Sequence, residues 1–429
     1  MSPASLCVLA CLGVTGAAGC APHSSVTARI PVPRPAVEPA VFWNSATVYF
    51  LLTDRFRNGD PGNDQALRRA QDGTLLRSFM GGDLAGVLQE IESGYFDSLG
   101  VNVLWLTPFL EQVRGSVDEG TGKTYGYHGY WTRDWTAVDP ALGTGEVLGA
   151  VVAAAHRRGI RVLMDAVINH TGPVTPQDPV WPADWVRTSP QCSYRSYPTT
   201  ADCTLVANLP DILTDRDEPV DLPPFLLAKW EADGRLDREL AELEGFFSRT
   251  GYPRAPRYYL IKWLTDWVRE YGVDGYRIDT AKHLGESVGA ELKREASLAF
   301  AQWKRTHPLE AVDDLPFYLV GEVYGYSLGQ GRQYDFGDRR VDYFAHGYDG
   351  LINFGFKGDA ASPLDSLFSS YAMALNAGPL EGVSILNYLA SHDDVRSRSP
   401  DAEILGGGVA AVDFDRARDH VEGEALAED

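Results

Sequence analysis

Positive charge is scarce in this 429-residue chain: 38 Lys and Arg stand against 59 Asp and Glu, a formal balance of −21. Such a balance repels phosphate backbones and anionic lipid, so no nucleic-acid partner is expected. Cysteine is sparse as well, with five residues, which excludes a small disulfide-stapled scaffold. Neither a CxxC nor an HExxH pattern occurs, so nothing argues for a transition metal. The apolar run Leu6–Ala18 has only 13 residues, too short for a stable membrane anchor.

That run reads instead as an export signal, residues 1–20, because it is followed by small residues. Its ending Ala17-Ala18-Gly19-Cys20 resembles a bacterial lipoprotein box. Two readings stand, a lipid anchor at Cys20 or simple cleavage, and both place the chain in the periplasm or outside the cell. Residues 21–42, rich in Pro and Ser, look like an extended tether. Outside the leader only Cys192 and Cys203 remain. In an oxidising compartment they are expected to pair, the alternative being two unrelated thiols.

Aromatic residues are plentiful, with ten Trp, twenty Tyr and seventeen Phe, enough for a packed core and for surfaces that stack on ligands. Short β-branched or aromatic runs alternate with amphipathic segments. Strands are predicted at Thr47–Leu52, Val101–Leu106, Arg161–Ala166, Gly275–Ile278, Phe317–Gly321, Leu351–Phe354 and Ser384–Leu389. Helices are predicted at Leu84–Leu99, Glu146–Arg158, Tyr258–Tyr271, Glu286–Thr306 and Pro363–Asn376. This alternation implies an α/β fold with a parallel sheet and helical crossovers.

The polar residues that end these strands recur at intervals of one or two βα repeats, except that Asp165 and Asp279 are 114 residues apart. The expected fold class is therefore a (β/α)8 TIM barrel with a loop-rich subdomain inserted after the third strand. The barrel takes residues 43–171 and 253–396, and the insertion takes 172–252. The acidic tail, 397–429, offers no convincing eighth βα unit, and no C-terminal β domain is seen. Either Glu403–Phe414 supplies an improvised strand, or the chain is altered after residue 395.

In such barrels the chemistry sits at the C-terminal ends of the strands. Three carboxyls stand at predicted strand ends: Asp279 in GYRID, Glu322 in YLVGE and Asp393 in YLASHDD. Each alone could cap the following helix. Together, with Arg277 and His392 beside them, they look like a glycosidase constellation, which needs an ionised carboxylate as nucleophile and a protonated carboxyl as acid. Arg277, two residues before Asp279, shares its strand face and would keep that carboxylate ionised.

Four segments in order, DAVINH (165–170), GYRIDTAKH (275–283), GEVY (321–324) and SHDD (391–394), resemble the motif regions of the α-amylase family, glycoside hydrolase family 13. The stretch YGYHGYWTRDWTAVDPALGT is similar to secreted bacterial members, the periplasmic ones in particular. The resemblance covers about residues 43–396. It implies a retaining endo-hydrolase of α-1,4-glucans, with Asp279 as nucleophile, Glu322 as acid and base, and Asp393 on the sugar hydroxyls. It further implies that His128, Tyr130, Trp131, His170, Arg277, Lys282, His283 and His392 line the substrate site.

The same resemblance implies calcium, held by Asn169, Asp211 and the carbonyl of His283. A second calcium loop is implied at Asn58, Asp60, Asn63 and Asp64, closed by Gly81 and Asp83; as plain sequence these residues could simply form turns. Oxygen ligands of this kind suit Ca2+ rather than zinc. A glucanotransferase and a non-catalytic, truncated glucan-binding chain are the competing readings. A monomer is expected.

Overall fold

The computed structural model describes residues 39–388 except 121 and 377. Seven parallel strands form one sheet in sequence order: β1 Val48–Leu51, β2 Val103–Leu106, β3 Arg161–Ala166, β4 Gly275–Ile278, β5 Tyr318–Gly321, β6 Gly350–Asn353 and β7 Ser384–Asn387. The helices that flank or follow them include α1 Leu84–Ser93, α2 Gly145–Arg157, α3 Pro224–Ala232, α4 Leu236–Thr250, α5 Pro256–Tyr271, α6 Glu286–Thr306 and α7 Leu364–Asn376. This is the (β/α)8 barrel architecture, with seven of its strands among the described residues. Residues 389–429, including Glu403–Phe414, and the leader and tether up to residue 38 lie outside the described part. Among the described residues no helix is long and apolar enough to cross a membrane.

Strands β2 to β6 are buried along their whole length, as expected when helices cover a parallel sheet. Their side chains nevertheless divide by the two-residue period of a strand. Tyr49, Leu51, Leu104, Leu106, Val162 and Met164 join the large core under the helices. Val103, Trp105, Leu163, Tyr318, Val320 and Ile352 form a separate cluster inside the barrel. Trp43 closes that inner cluster at the start of β5, its ring stacked on Tyr318 with centroids 3.6 Å apart.

Two local differences from the sequence reading have plain causes. The segment Leu84–Leu99 is not one helix: Gly94 adopts φ +82 and caps α1 by donating to the Glu90 and Ile91 carbonyls, the left-handed stop that glycine makes at low cost. The long excursion after β3 is loop-rich only in its first part, which carries a bonded Cys192–Cys203 pair and a two-stranded ribbon, Val186–Arg187 with Asp211–Ile212. Its second part is α3 and α4, whose Leu226, Trp230, Leu243 and Phe246 enter the main core. Lys229 of α3 holds Glu111 and Asp134 at 3.1 and 2.8 Å, which fastens these helices to the loop after β2.

Candidate active site

The pairing of β4 with β5 sets Ile278 beside Gly321. The next residues, Asp279 and Glu322, therefore emerge as neighbours at the barrel rim. Inside the rim Arg277 lies fully buried between Trp105, 5.3 Å from its guanidinium, and Tyr130, 5.7 Å away. One Nη donates to Asp279 at 2.7 Å and to Asp165 at 2.6 Å, and the other reaches Glu322 at 2.9 Å. Burial alone would lower the Arg277 pKa, but these carboxylates raise it well above its usual value, so the group stays charged.

Asp165 is the member of this cluster whose part sequence reasoning missed, although it opens the DAVINH segment. Its second oxygen accepts from Trp105 Nε1 at 2.9 Å and from the Tyr130 hydroxyl at 2.8 Å. Complete burial pushes its pKa up to about 6, with Asp279 adding to the rise and Arg277 opposing it. The signal available in the sequence was its position at the end of a strand next to the one that carries Arg277; its partners come from β2 and from the loop after it. Thr280 was missed too. It takes φ +48, an uncommon conformation for a β-branched residue, and so turns its N–H to Glu322 at 2.7 Å.

The aromatic and imidazole groups expected at the site gather beside Arg277. His128 accepts from Tyr130 N–H at 3.0 Å, stacks on the Tyr130 ring and meets Trp131 edge-on. His170 Nε2 lies 3.1 Å from the Tyr130 carbonyl, and burial lowers its pKa. Lys282 and His283 are placed differently. Lys282 donates to the Tyr324 carbonyl at 3.0 Å and lies over the Tyr334 ring, at the outer rim. His283, pushed down to about 4 by burial, turns Nδ1 to the Thr200 carbonyl at 2.8 Å, on the disulfide-bonded loop. Asp393 and His392 lie outside the described residues.

The residues expected to hold calcium can be judged by their unspent polar atoms. Asn169 and Asp211 are adjacent: Ile212 N–H donates to the Asn169 carbonyl at 2.8 Å, and Asp211 forms a bridge with His170. Asn169 Nδ2 and Asp211 Oδ1 are buried without hydrogen-bond partners, while Arg187 lies 2.8 Å from the other Asp211 oxygen. Burial pushes the Asp211 carboxyl up to about 8, with Asp215 and Asp202 adding to the rise and Arg187 opposing it. In the loop after β1, Asn58 and Asn63 each leave a buried Oδ1 without a partner, and Asn58 donates to Asp64 at 3.0 Å. The unspent oxygens, Asp211 Oδ1 in the first set and the Oδ1 atoms of Asn58 and Asn63 in the second, fit a hard cation that takes oxygen ligands, whereas the Asn169 Nδ2 is a donor and does not. Asp83 fits least, because its oxygens already accept from the N–H groups of Gly59, Asp60 and Gly86 and from the Asn63 amide. Asp60 accepts from Gly62 N–H, and Gly81 (φ +88) sits close against Asn58 and Asp64. Among the described residues no group of three or more His, Cys, Asp or Glu side chains is arranged to hold a metal.

Comparison with known proteins points to one family. Residues 50–218 match the model of the α-amylase catalytic domain. A periplasmic α-amylase of Escherichia coli is 36% identical over 82% of this chain. Over most of its length the chain is similar to the α-amylase family. It spans 56% of that relative's length. A cyclomaltodextrin glucanotransferase of Niallia circulans is 34% identical, over 32% of this chain and 19% of its own. An Anoxybacillus α-amylase crystal structure superposes with a TM-score of 0.56 at 23% identity, covering 82% of this chain and 63% of that one; at that identity the likeness speaks for the fold alone. Asp165, Asp279 and Glu322, with the buried arginine among them, occupy the barrel mouth, where such barrels gather their loops.

Proposed function

We propose that this chain is a retaining endo-hydrolase of α-1,4-glucans such as starch and maltodextrins, acting outside the cytoplasm. The observation that carries the reading is the clamp of Arg277 on Asp279 and Glu322 at the ends of adjacent strands. Asp279 attacks the anomeric carbon while Glu322 gives its proton to the leaving oxygen, and the glycosidic C–O bond breaks as the glycosyl-enzyme ester forms. Glu322 then takes a proton from water, whose oxygen attacks the same carbon and frees Asp279. Arg277 holds the Asp279 carboxylate through a hydrogen bond at 2.7 Å, Tyr130 offers a ring to the sugar, and Asp393 acts on its hydroxyls. The kinship with a periplasmic relative supports export, with lipid attachment at Cys20 as the finer form of that proposal.

Calcium belongs to the same reading. Asn169, Asp211 and the His283 carbonyl would hold one ion and Asn58, Asn63 and Asp64 another, where it would neutralise charge and fasten loops to the barrel. A glucanotransferase is the second reading, favoured by the match to cyclomaltodextrin glucanotransferases over part of the chain; there a sugar hydroxyl replaces water in the second step. The test is reducing-end release from soluble starch, with calcium present and after its chelation, together with product chromatography. Glu322→Gln is expected to lower kcat by about 10²–10⁴-fold. Unchanged turnover in that variant would overturn the assignment, and cyclic or lengthened products would move it to the transferase.

A further inference from the structure

A cleft of about 340 Å³ lies outside the site described above, lined by Arg68, Arg114, Tyr125 and Gln177 among others. Positive charge is the scarce commodity of this chain, and most of its described arginines are tied to carboxylates. Among the described residues, Arg68 and Arg114 have exposed side chains and no side-chain hydrogen bond or ion pair.

Their backbones, by contrast, are held. Arg69, next to Arg68, is buried and grips Asp139 with both Nη atoms, and it donates to the Gln112 and Val113 carbonyls. Arg68 itself takes φ +50, a conformation a non-glycine residue adopts only when its surroundings impose it. In the second lining segment, Asp178 accepts from the N–H groups of both Arg114 and Gly115. Gln177 Oε1 lies so near Gly115 that a Cβ there would approach it to 2.3 Å. Two anchored segments thus place Arg68 and Arg114, both exposed and without side-chain partners, on the lining of one cavity, and two guanidinium groups within reach of one cavity suit a phosphate or another multi-oxygen anion. The cleft adjoins the sugar-facing segment: Gln112, whose carbonyl fixes Arg69, accepts from Trp131 N–H through its side chain at 2.6 Å.

We propose that this cleft binds a phosphate monoester carried on the α-glucan, so that the protein favours phosphorylated over neutral chains. That the phosphate is borne by a glucan rests on the function proposed above, whereas anion binding by the cleft does not. The test is calorimetric titration of the full chain carrying Glu322→Gln, which slows turnover, with three probes: a neutral maltodextrin, the same dextrin bearing 6-phosphate esters, and inorganic phosphate. The esterified dextrin is expected to bind about tenfold more tightly than the neutral one. Inorganic phosphate should compete with the difference, and raised salt should shrink it. Arg68→Gln with Arg114→Gln should erase the preference and leave neutral dextrin binding unchanged. Arg157→Gln with Arg305→Gln, on exposed positions of α2 and α6 and equal in charge change, should preserve it. Equal affinity for the two dextrins in the parent, or a preference that survives the cleft variant, overturns the proposal. Phosphate binding without any preference for the ester also overturns it, by assigning the cleft to a free anion. Failure to bind neutral dextrin at all, with phosphate still bound, counts against the glucan reading and not against the cleft. Should the double variant not fold, Arg114→Gln alone and the salt dependence of the parent decide the matter.

Discussion

The two ends of the barrel interior are built from the same strands and use opposite chemistry. At the end where the strands begin, Tyr318 stacks on Trp43 and donates or accepts a hydrogen bond with Ser384 at 2.6 Å. At the end where they finish, one buried guanidinium is shared by Asp165, Asp279 and Glu322. The first end gains from removing apolar surface from water. The second concentrates more negative than positive charge in a dry place, an arrangement that lowers stability unless every group has a partner. The contrast teaches that stability and chemistry are separated along each strand by a distance of three or four residues.

Three substitutions or conditions would break or sharpen that contrast. Arg277→Leu has the largest expected effect: it strands three carboxyls and should lower stability by about 3–5 kcal/mol, read by chemical denaturation, while also removing starch turnover. Trp43→Ala, at the other end, should lower stability by about 1–3 kcal/mol and leave kcat per folded molecule unchanged. A kcat that fell with Trp43→Ala would show that the two ends are not separable. The smallest effect is a slope with pH. The native Asp165 carboxyl keeps its proton up to about 6, whereas an unfolded one loses it near about 4. Its contribution to stability is therefore present below about 4 and lost as pH rises through 6, by at most about 1.4 kcal/mol per unit. Asp165→Asn should flatten that part of the stability curve, and an unaltered slope would show that Asp165 does not titrate there.

Much of this was legible in the sequence because strand ends carry local signals. Asp279 and Glu322 each follow a short apolar run, and the spacing of such runs was enough to expect a barrel. The sharing of Arg277 was half legible: its place two residues before Asp279 was, but its grip on Asp165 depends on the β3–β4 register, which sets Arg277 beside Asp165. The helical half of the insertion was obscured by the Pro, Trp and Asp around it. Pro224 starts α3, where a missing N–H does no harm. Gly94 gave no warning that it would stop a helix, since glycine within an amphipathic run is compatible with either outcome.

The disulfide-bonded loop bears on how the protein should be made. Thr200, whose carbonyl receives His283, lies between Cys192 and Cys203, and the same loop is tied to the far rim through Tyr197, which bonds Glu286 and Asp338. A recombinant chain accumulated in a reducing cytoplasm would arrive without that covalent tie. Preparations from oxidising and reducing hosts are thus two different samples at the mouth of the barrel, even when their sequences are identical.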